Sequence, residues 1–337
     1  MTVRASAPLP VAVDAMGGDE APRVIVEGAL LAAERTGLPI LLVGDPDRMG
    51  DTGDLPVLPA REVIAMGAEP AASVRRMKDA SVVRAAEAVR DGRAGALLSA
   101  GNTGAAMAAS LLRMGRIKGV ARPAIAVPFP VPGSTPTALL DCGANADCQP
   151  EWLVQFAMLG VAYMRTVYGI ARPRVGILTI GEEAGKGNTL VTTACGLLED
   201  PAWAERCGAE YIGNVEGRDL LVGVADVMVA DGFTGNVVLK SMEGGYAVFE
   251  DTVRAALAAQ PPLADAVARL EPVFTGFDPV RTGAAVLLGT RGMALISHGS
   301  STSTAIANAI ETTHRMVDID IVGAVRDIFA PADGPAA

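Results

Sequence analysis

The sequence predicts an α/β protein whose mostly parallel sheet carries helices on both faces. Short runs of β-branched and aliphatic residues recur along the chain, and each leads through a loop of small polar residues into a helical stretch. Runs that are apolar at consecutive positions are typical of parallel strands buried on both faces. Half of the 337 residues are hydrophobic but only 4% are aromatic. That composition favours helix–sheet layers packed with Ala, Val and Leu.

The strand–loop–helix unit recurs throughout the sequence. The first strand, 11–14, precedes a helix over 21–35, where Pro22 is tolerated because a first-turn N–H has no intrahelical partner. Gly37 ends this helix, and another helix is predicted over 105–114. The remaining strands are predicted at 40–43, 94–98, 138–140, 174–180, 227–229 and 294–296.

A long helical stretch from about 234 to 272 is interrupted by Gln260, Pro261 and Pro262. Proline cannot continue a helix because it lacks the backbone N–H and its ring clashes with the preceding turn. The pattern therefore predicts a protruding helical hairpin at about 244–280. No repeat or low-complexity linker divides the chain. We therefore expect residues 1–337 to form one α/β unit, with its core over about 10–330.

The charge balance narrows the class of partner. With 28 Lys and Arg against 38 Asp and Glu, the net charge is −10, which argues against bulk attraction to nucleic acid or anionic lipid. The longest uncharged stretches are interrupted by Gly, Pro and polar residues, so none provides the ~20 predominantly apolar residues of a membrane span. The first apolar run is too short for a secretory signal. The sequence thus predicts a cytoplasmic protein.

Metal and dinucleotide sites have little support in the sequence. The four cysteines form no C-x-x-C pair and only two histidines accompany them, so no zinc site is expected. No Gly-x-Gly-x-x-Gly follows a strand, so we expect no dinucleotide cofactor. Carboxylates after the strands build a Mg²⁺ site only if they converge, and otherwise cap helices or orient lysines. These carboxylates are Asp14, Asp19, Glu182, Glu183 and Asp231.

The loop 99–104, Ser-Ala-Gly-Asn-Thr-Gly, ends a strand and opens a helix. Free backbone N–H groups, small polar side chains and the positive end of a helix dipole together favour an anion. The candidate phosphate-binding residues are Ser99, Gly101, Asn102, Thr103 and Gly104. The alternative is an N-capped turn in which Asn102 or Thr103 is the cap.

A second glycine-rich loop, 181–188, carries Lys186. It resembles a nucleotide phosphate loop but is one residue short and lacks the Ser or Thr that would hold magnesium, and two glutamates inside it would repel a triphosphate. Lys186 can still serve as a mobile ammonium for one phosphate or a leaving group. The alternative is a solvated lysine on a turn.

Seven short motifs rich in Gly, Asn, Asp and Ser stand at 13–19, 99–105, 140–145, 186–188, 213–219, 231–236 and 298–301. By these motifs together, in this order and over about residues 10 to 316, the chain resembles one family, the phosphate acyltransferases of bacterial phospholipid synthesis. The resemblance implies a fold like that of the isocitrate and isopropylmalate dehydrogenases and phosphotransacetylases, used without NAD, and a homodimer. It also implies that acyl–acyl carrier protein and phosphate give acyl phosphate and free carrier protein, and that a membrane glycerol-3-phosphate acyltransferase then consumes the acyl phosphate.

The resemblance also implies roles for residues. Lys186 is the candidate cation for phosphate or the leaving sulfur, and Asn236 the candidate donor to the phosphate or carbonyl oxygen, so these two are the candidate catalytic residues. The loop 99–104 would form part of the phosphate cradle. The residues expected to shape the pocket are Asp14, Gly17, Gly18, Asp141, Asn145, Asp231, Thr234 and His298.

The sequence departs from the family pattern in three places. Glu20 stands where His is common, and Thr179 stands where Asn is usual. The stretch 244–283 is poor in cations, with three arginines, Arg254, Arg269 and Arg281. An interfacial helix normally carries more positive charge, so we expect only weak or indirect membrane association.

An acidic carrier protein has to meet a local basic patch on this acidic chain. The two candidate clusters are Arg75, Arg76 and Lys78, and Arg113, Arg116 and Lys118; the alternative is that both are solvated faces.

Three rival functions remain open at this point: a short-chain phosphotransacetylase using acetyl-coenzyme A, a non-catalytic docking scaffold, and a metal- and NAD-dependent decarboxylating dehydrogenase. A scaffold has no need of the polar residues found after every strand.

Overall fold

The computed structural model describes residues 8–259, 269–271, 273–274 and 284–331. The chain divides into two compact units. Residues up to 123 together with 282–327 form the first unit, and residues 124–281 with those from 328 form the second. The expectation of one continuous unit stays a prediction.

The strands in the described part of the chain are β1 (Val11–Asp14), β2 (Ile40–Gly44), β3 (Val57–Pro59), β4 (Ala96–Ser99), β5 (Ala124–Phe129), β6 (Thr137–Leu140), β7 (Arg174–Leu178), β8 (Glu210–Val215), β9 (Val227–Val229), β10 (Ala285–Leu288) and β11 (Met293–Ile296). The helices are α1 (Arg23–Thr36), α2 (Pro46–Met49), α3 (Pro70–Arg76), α4 (Ser81–Arg90), α5 (Thr103–Ala109), α6 (Pro150–Tyr168), α7 (Thr189–Leu198), α8 (Pro201–Cys207), α9 (Gly232–Ala258), α10 (Ser303–Asp318) and α11 (Ile321–Ile328). A π-helical turn (Ser110–Met114) continues α5, and a 3₁₀ turn (Gly217–Leu221) follows β8.

The strands of the first unit are ordered β3-β2-β1-β4-β11-β10. All neighbours are parallel except β10 and β11, which are antiparallel. The side chains of β1 and β4 are buried along their whole length, as expected for strands covered on both faces. Asp14 at the last position of β1 pairs in register with Ser99 at the last position of β4. The sheet therefore places these two polar residues side by side at its carboxyl edge.

The strands of the second unit are ordered β5-β6-β9-β7-β8. The last four are mutually parallel and β5 runs antiparallel to β6. The long helix α6 covers this sheet with ten buried residues, including Leu153, Phe156 and Tyr163. Gly160 lets α6 approach β9 closely, because a Cβ there would lie 2.4 Å from a methyl of Val227.

The predicted α/β fold with a mostly parallel sheet is confirmed, although four strands of the sheet were not predicted. Of these, β5 lies in a proline-rich stretch with Pro128 inside it, and proline normally argues against a strand. It is tolerated in β5, where Pro128 pairs with Ala138 of antiparallel β6. The predicted hairpin at 244–280 begins within α9, and its residues 260–268, 272 and 275–280 lie outside the described residues.

Candidate active site

Ligands of parallel α/β sheets bind beyond the carboxyl ends of the strands. In the second unit β6, β9 and β7 are neighbours in that order, so the loops after them start only about 5 Å apart from strand to strand. These loops and the start of α9 carry six of the predicted site residues, Asp141, Asn145, Asp231, Thr234, Asn236 and Lys186. The sheet thus brings the predicted catalytic pair to one edge of one unit.

Asp141 organises the loop that follows β6. One carboxylate oxygen accepts hydrogen bonds from the backbone N–H of Ile125 (2.9 Å) and of Ala144 (3.0 Å). The other accepts from the backbone N–H of Asn145 (2.7 Å) and from its side-chain amide (2.9 Å). Burial raises the pKa of Asp141, and these hydrogen bonds partly oppose that rise. All four bonds are internal, so Asp141 fixes the shape of the loop.

The start of α9 packs directly on that loop. Asp231 caps the helix by accepting from the backbone N–H of Thr234 (2.9 Å) and from its hydroxyl (2.8 Å). A Cβ at Gly235 would lie 1.9 Å from the carbonyl oxygen of Asp141, and one at Gly232 would lie 2.6 Å from that of Asn145. No side chain fits at either position. The two glycines therefore let the positive end of α9 reach the site.

Asn236 lies one residue beyond this contact and is exposed. Its side-chain oxygen is 3.4 Å from the place where a Cβ of Gly143 would be. Gly143 has a φ of 127°, a backbone conformation that residues other than glycine rarely adopt. The amide of Asn236 therefore stands against bare backbone at the mouth of the loop, where a substrate oxygen can approach it.

The loop after β7 presents Lys186. Thr179 closes its beginning with two hydrogen bonds to Gly181, at 2.6 and 3.2 Å, and Asn188 caps α7 at its end through the Val191 N–H at 2.9 Å. Asn214 on β8 donates to the carbonyl oxygens of Gly181 (3.3 Å) and Glu183 (2.8 Å). Lys186 itself is exposed. The loop is held at its base while the ammonium group remains accessible.

The polar groups of the first unit are arranged differently. The hydroxyl of Ser99 donates to Asp14 (2.7 Å) and accepts from the backbone N–H of Gly101 (3.1 Å). Asp14 also accepts from the N–H of Met16 (3.3 Å). Gly17 is required here because a Cβ would lie 2.6 Å from an Asp14 oxygen. Burial raises the pKa of Asp14, against the opposing effect of its hydrogen bonds.

Asn102 is the N-cap of α5, accepting from the Ala105 N–H at 3.0 Å. Its amide donates to the carbonyl oxygens of Met66 (2.7 Å) and Ala68 (3.2 Å). Gly104 packs on α3, since a Cβ there would lie 2.6 Å from Pro70. The N-capped turn is therefore present in this loop. Phosphate binding by 99–104 stays a prediction, with Thr103 its exposed side chain.

The remaining candidates of the first unit lie beside this loop. The backbone N–H of Ser297 donates to the carbonyl oxygen of Ser99 (2.8 Å), which places the loop after β11 next to Ser99. There His298 is exposed and its Nδ1 lies 2.7 Å from the Ser300 hydroxyl. Gly18 has a φ of 131°, which permits the turn after β1.

Two other chemistries find no support in the described residues. No group of three or more His, Cys, Asp or Glu among them is placed to hold a metal ion. Cys142 is a buried thiol whose Sγ donates to the Leu139 carbonyl oxygen at 3.3 Å. Burial raises its pKa well above the ordinary value, and nearby Asp141 adds to the rise. A thiol held protonated in this way is a poor nucleophile.

Three residues that support the site were not singled out from the sequence. Asn214 holds the Lys186 loop, Gly235 sets the approach of α9, and Ser81 lines the same small pocket as Asp14. Asn214 and Gly235 each lie in one of the seven motifs, which is a usable signal. Ser81 looks like an ordinary helix residue because its importance comes from a neighbour distant in sequence.

Comparison with known proteins identifies the family to which this chain belongs. Residues 9–323 match the family described as "Fatty acid synthesis protein". The phosphate acyltransferase of Pelotomaculum thermopropionicum is 45% identical over 327 residues, which cover 94% of both chains. The phosphate acyltransferase of Thermobifida fusca is 45% identical over 338 residues, covering 96% of this chain and 90% of the relative.

Solved structures of similar fold are more distant in sequence. The EutD phosphotransacetylase from Staphylococcus aureus has a TM-score of 0.58 at 15% identity, over 92% of this chain and 94% of its own. A 4-hydroxythreonine-4-phosphate dehydrogenase from Klebsiella pneumoniae has a TM-score of 0.53 at 13% identity, over 92% and 99%. At this identity the likeness establishes the fold alone. No helix in the part of the chain described here is long and apolar enough to cross a membrane.

Proposed function

This chain belongs to the phosphate acyltransferases, enzymes of lipid synthesis, and from that premise we propose that it transfers a long-chain fatty acyl group from acyl carrier protein to inorganic phosphate. The products are acyl phosphate and free carrier protein. One observation carries the proposal beyond the family name. An exposed cation, Lys186, and an exposed amide, Asn236, follow strands at one edge of the same sheet.

The reaction needs little covalent chemistry from the protein. A phosphate oxygen attacks the thioester carbonyl carbon, the new O–C bond forms, and the C–S bond breaks with its electron pair leaving on sulfur. Positioning the two reactants supplies much of the acceleration. In our proposal the amide N–H of Asn236 donates to the carbonyl oxygen as negative charge develops there. The ammonium of Lys186 attracts the phosphate and stabilises or protonates the departing thiolate.

The surrounding groups support this division of labour. The carboxylate oxygens of Asp141 and Asp231 accept hydrogen bonds from backbone and side-chain donors within the site, so these two residues hold the loops in shape. The positive end of the α9 dipole lies at the same place and favours an anionic reactant. Direct attack by phosphate also agrees with the protonated, buried state of Cys142, which leaves no acyl-enzyme nucleophile at that position.

Three partners belong to the proposal. The acyl donor is acyl–acyl carrier protein, and the chain pairs with a second copy of itself as a homodimer. A membrane glycerol-3-phosphate acyltransferase takes up the acyl phosphate. In this proposal the enzyme is cytoplasmic and its association with the membrane is indirect. The exposed residues Arg75, Arg76 and Lys78, after and within the last turn of α3, fit an acidic carrier protein. Arg113 is half-buried and engaged with the Val74 carbonyl oxygen (3.1 Å) and Glu87 (3.5 Å), so it supports α3 instead of facing a partner.

The proposal is tested by comparing acyl donors. Palmitoyl–acyl carrier protein and acetyl-coenzyme A are incubated separately with the enzyme and phosphate, and acyl phosphate and free thiol are quantified. We expect phosphate-dependent release of carrier protein with stoichiometric acyl phosphate from the palmitoyl donor. Turnover of acetyl-coenzyme A alone would identify a short-chain phosphotransacetylase, and turnover of neither would refute the enzyme assignment.

A further inference from the structure

An apolar cavity of about 340 Å³ lies within the second unit. Its wall exposes almost no polar atoms. Met242, Tyr246 and Phe249 line it from α9, and Phe129 and Pro130 line it from the end of β5. We infer that this cavity holds the hydrocarbon chain of the substrate and sets the preferred chain length. The inference rests on the proposed function.

The chemistry of the wall selects a hydrocarbon ligand. The cavity is closed on another side by Leu221, Val273 and Phe274. The phenolic hydroxyl of Tyr246 donates to the backbone carbonyl of Phe274, so it already has an acceptor within the wall. A sugar, base or phosphate placed here would leave its polar groups without partners, at a cost that an alkyl chain does not incur.

Phe274 in the cavity wall is held by Arg254. The guanidinium of Arg254 stacks 4.6 Å from the ring centroid of Phe274. Arg254 also pairs with Glu271 at 2.8 Å and with Glu250 at 2.6 Å. The ring of Phe274 is therefore braced by a cation that does not itself line the cavity. A preformed, braced cavity of this size is typical of small-molecule sites.

The cavity and the proposed active site lie along one face of α9. Gly235, which packs on the carbonyl of Asp141, is followed at +7, +11 and +14 by Met242, Tyr246 and Phe249. At about 100° per residue these positions share one helix face. The same face that meets the active-site loop thus becomes the wall of the cavity.

Two independent distances agree on how far the cavity lies from the chemistry. Tyr246 is ten residues beyond Asn236, which is about 15 Å along a helix. Phe129 is four residues beyond Ile125, whose N–H donates to Asp141; four residues of a strand span about 13 Å. The near end of the cavity, Met242, is six residues from Asn236, or about 9 Å.

These lengths convert into carbon atoms. A saturated chain advances about 1.25 Å per carbon, from a bond of about 1.5 Å and an angle of about 111°, so about seven carbons reach Met242. The cavity volume of about 340 Å³ corresponds to about eleven water volumes, and a methylene group is similar in size to water. A chain of about sixteen to eighteen carbons fills the cavity, whereas an eight-carbon chain stops near its mouth.

The experiment narrows the cavity with Met242→Trp and compares sixteen-carbon with eight-carbon acyl–acyl carrier protein. We expect the kcat/KM ratio of the long to the short donor to fall at least ten-fold. The control is Val248→Trp, which introduces the same side chain on the same helix at a position that is 68% exposed and does not line the cavity. Its ratio should match the wild type.

A binding measurement tests the inference independently of turnover. Hexadecyl phosphate and octyl phosphate are titrated calorimetrically into the wild type, Met242→Trp and Phe249→Asp. Phe249 is 61% exposed, so its replacement by a carboxylate changes the wall without emptying a core. In both variants the affinity for hexadecyl phosphate should fall at least ten-fold more than the affinity for octyl phosphate.

The outcomes separate the two proposals. If the wild type forms no acyl phosphate from any thioester, the proposed function fails, and the alkyl phosphate titration still decides the inference. Equal losses for both chain lengths, or the same loss in Val248→Trp, would overturn the cavity as the chain site.

Discussion

The two units of this chain differ in the polar groups that are exposed after their strands. In the first unit Asp14, Ser99 and Asn102 hydrogen-bond to one another or to backbone, and the exposed candidates are the Thr103 hydroxyl and the His298 imidazole. In the second, Asp141 and Asp231 are engaged in the same manner, and the exposed candidates are the Lys186 ammonium and the Asn236 amide. Polar residues after strands therefore mark a structured edge in both units, and the second unit adds the cation and the amide that the proposed reaction needs.

The largest effect should come from removing the exposed cation. We expect Lys186→Ala to lower kcat for acyl phosphate formation by about 10³-fold, the range for loss of a positioned acid or base. The circular dichroism spectrum and the melting temperature should be unchanged, because Lys186 is exposed. The matched control is Lys240→Ala, which removes a lysine paired with Glu243 on the same unit.

If Lys186→Ala turned over palmitoyl–acyl carrier protein at the wild-type rate, the distinction between the two units would lose its chemical meaning. Recovery of activity in Lys186→Ala on addition of alkylamines would instead support that distinction, because the recovery would identify the missing ammonium as the functional group.

The next effect concerns the approach of α9 to the site. Gly235→Ala places a Cβ 1.9 Å from the Asp141 carbonyl oxygen, so the helix or the loop has to move. Overpacking of this kind costs about 1–3 kcal/mol, and kcat should fall because Asn236 moves with the helix. Chemical denaturation and steady-state kinetics measure the two consequences.

The same helix offers an internal control for this substitution. A Cβ at Gly244 meets nothing within 4 Å, so Gly244→Ala should stabilise the protein by about 0.5–1 kcal/mol through its helix propensity. Equal effects at the two positions would mean that α9 does not have to approach the loop closely.

In the first unit the expected effect is on stability instead of chemistry. Ser99→Ala removes the donor to buried Asp14 and should lower the free energy of unfolding by about 1–3 kcal/mol at neutral pH. The kinetic parameters of the folded enzyme should change little. Ser134→Ala, at an exposed loop position, is the control. A raised KM for phosphate without destabilisation would show that Ser99 serves the ligand after all.

The pH dependence of Ser99→Ala follows from the pKa of Asp14. Burial raises this pKa above its ordinary value of 3.8, so the folded state binds the proton more tightly than the unfolded state. The resulting stability is complete below about 3.8 and is lost as the pH rises through the folded-state pKa. Losing the Ser99 donor raises that pKa further, so the destabilisation should be larger at pH 7 than at pH 4.

The fold was largely predictable because its signals are local. Continuous apolar runs identified most of the parallel strands, and Gly, Asn and Asp after them identified the loops. The cavity had no such signal, since Phe129, Leu221, Tyr246 and Phe274 are ordinary apolar residues separated by long stretches of sequence. The role of Asn102 stayed open between an anion site and an N-cap, because the same side chain suits both, and the hydrogen bond of Ser99 to Asp14 had no local signal because the two residues are 85 positions apart.

The smallest effect is expected at the proposed carrier-protein surface of the first unit, where the basic side chains of α3 are exposed. Charge reversal in Arg75→Glu/Arg76→Glu should raise the KM for acyl–acyl carrier protein several-fold at low salt and leave kcat unchanged, because rim charges act on association. The difference should shrink with added salt as the charges are screened. Arg48→Glu, an exposed charge reversal on α2, is the control. If the KM of both variants matched the wild type, the carrier protein would dock elsewhere.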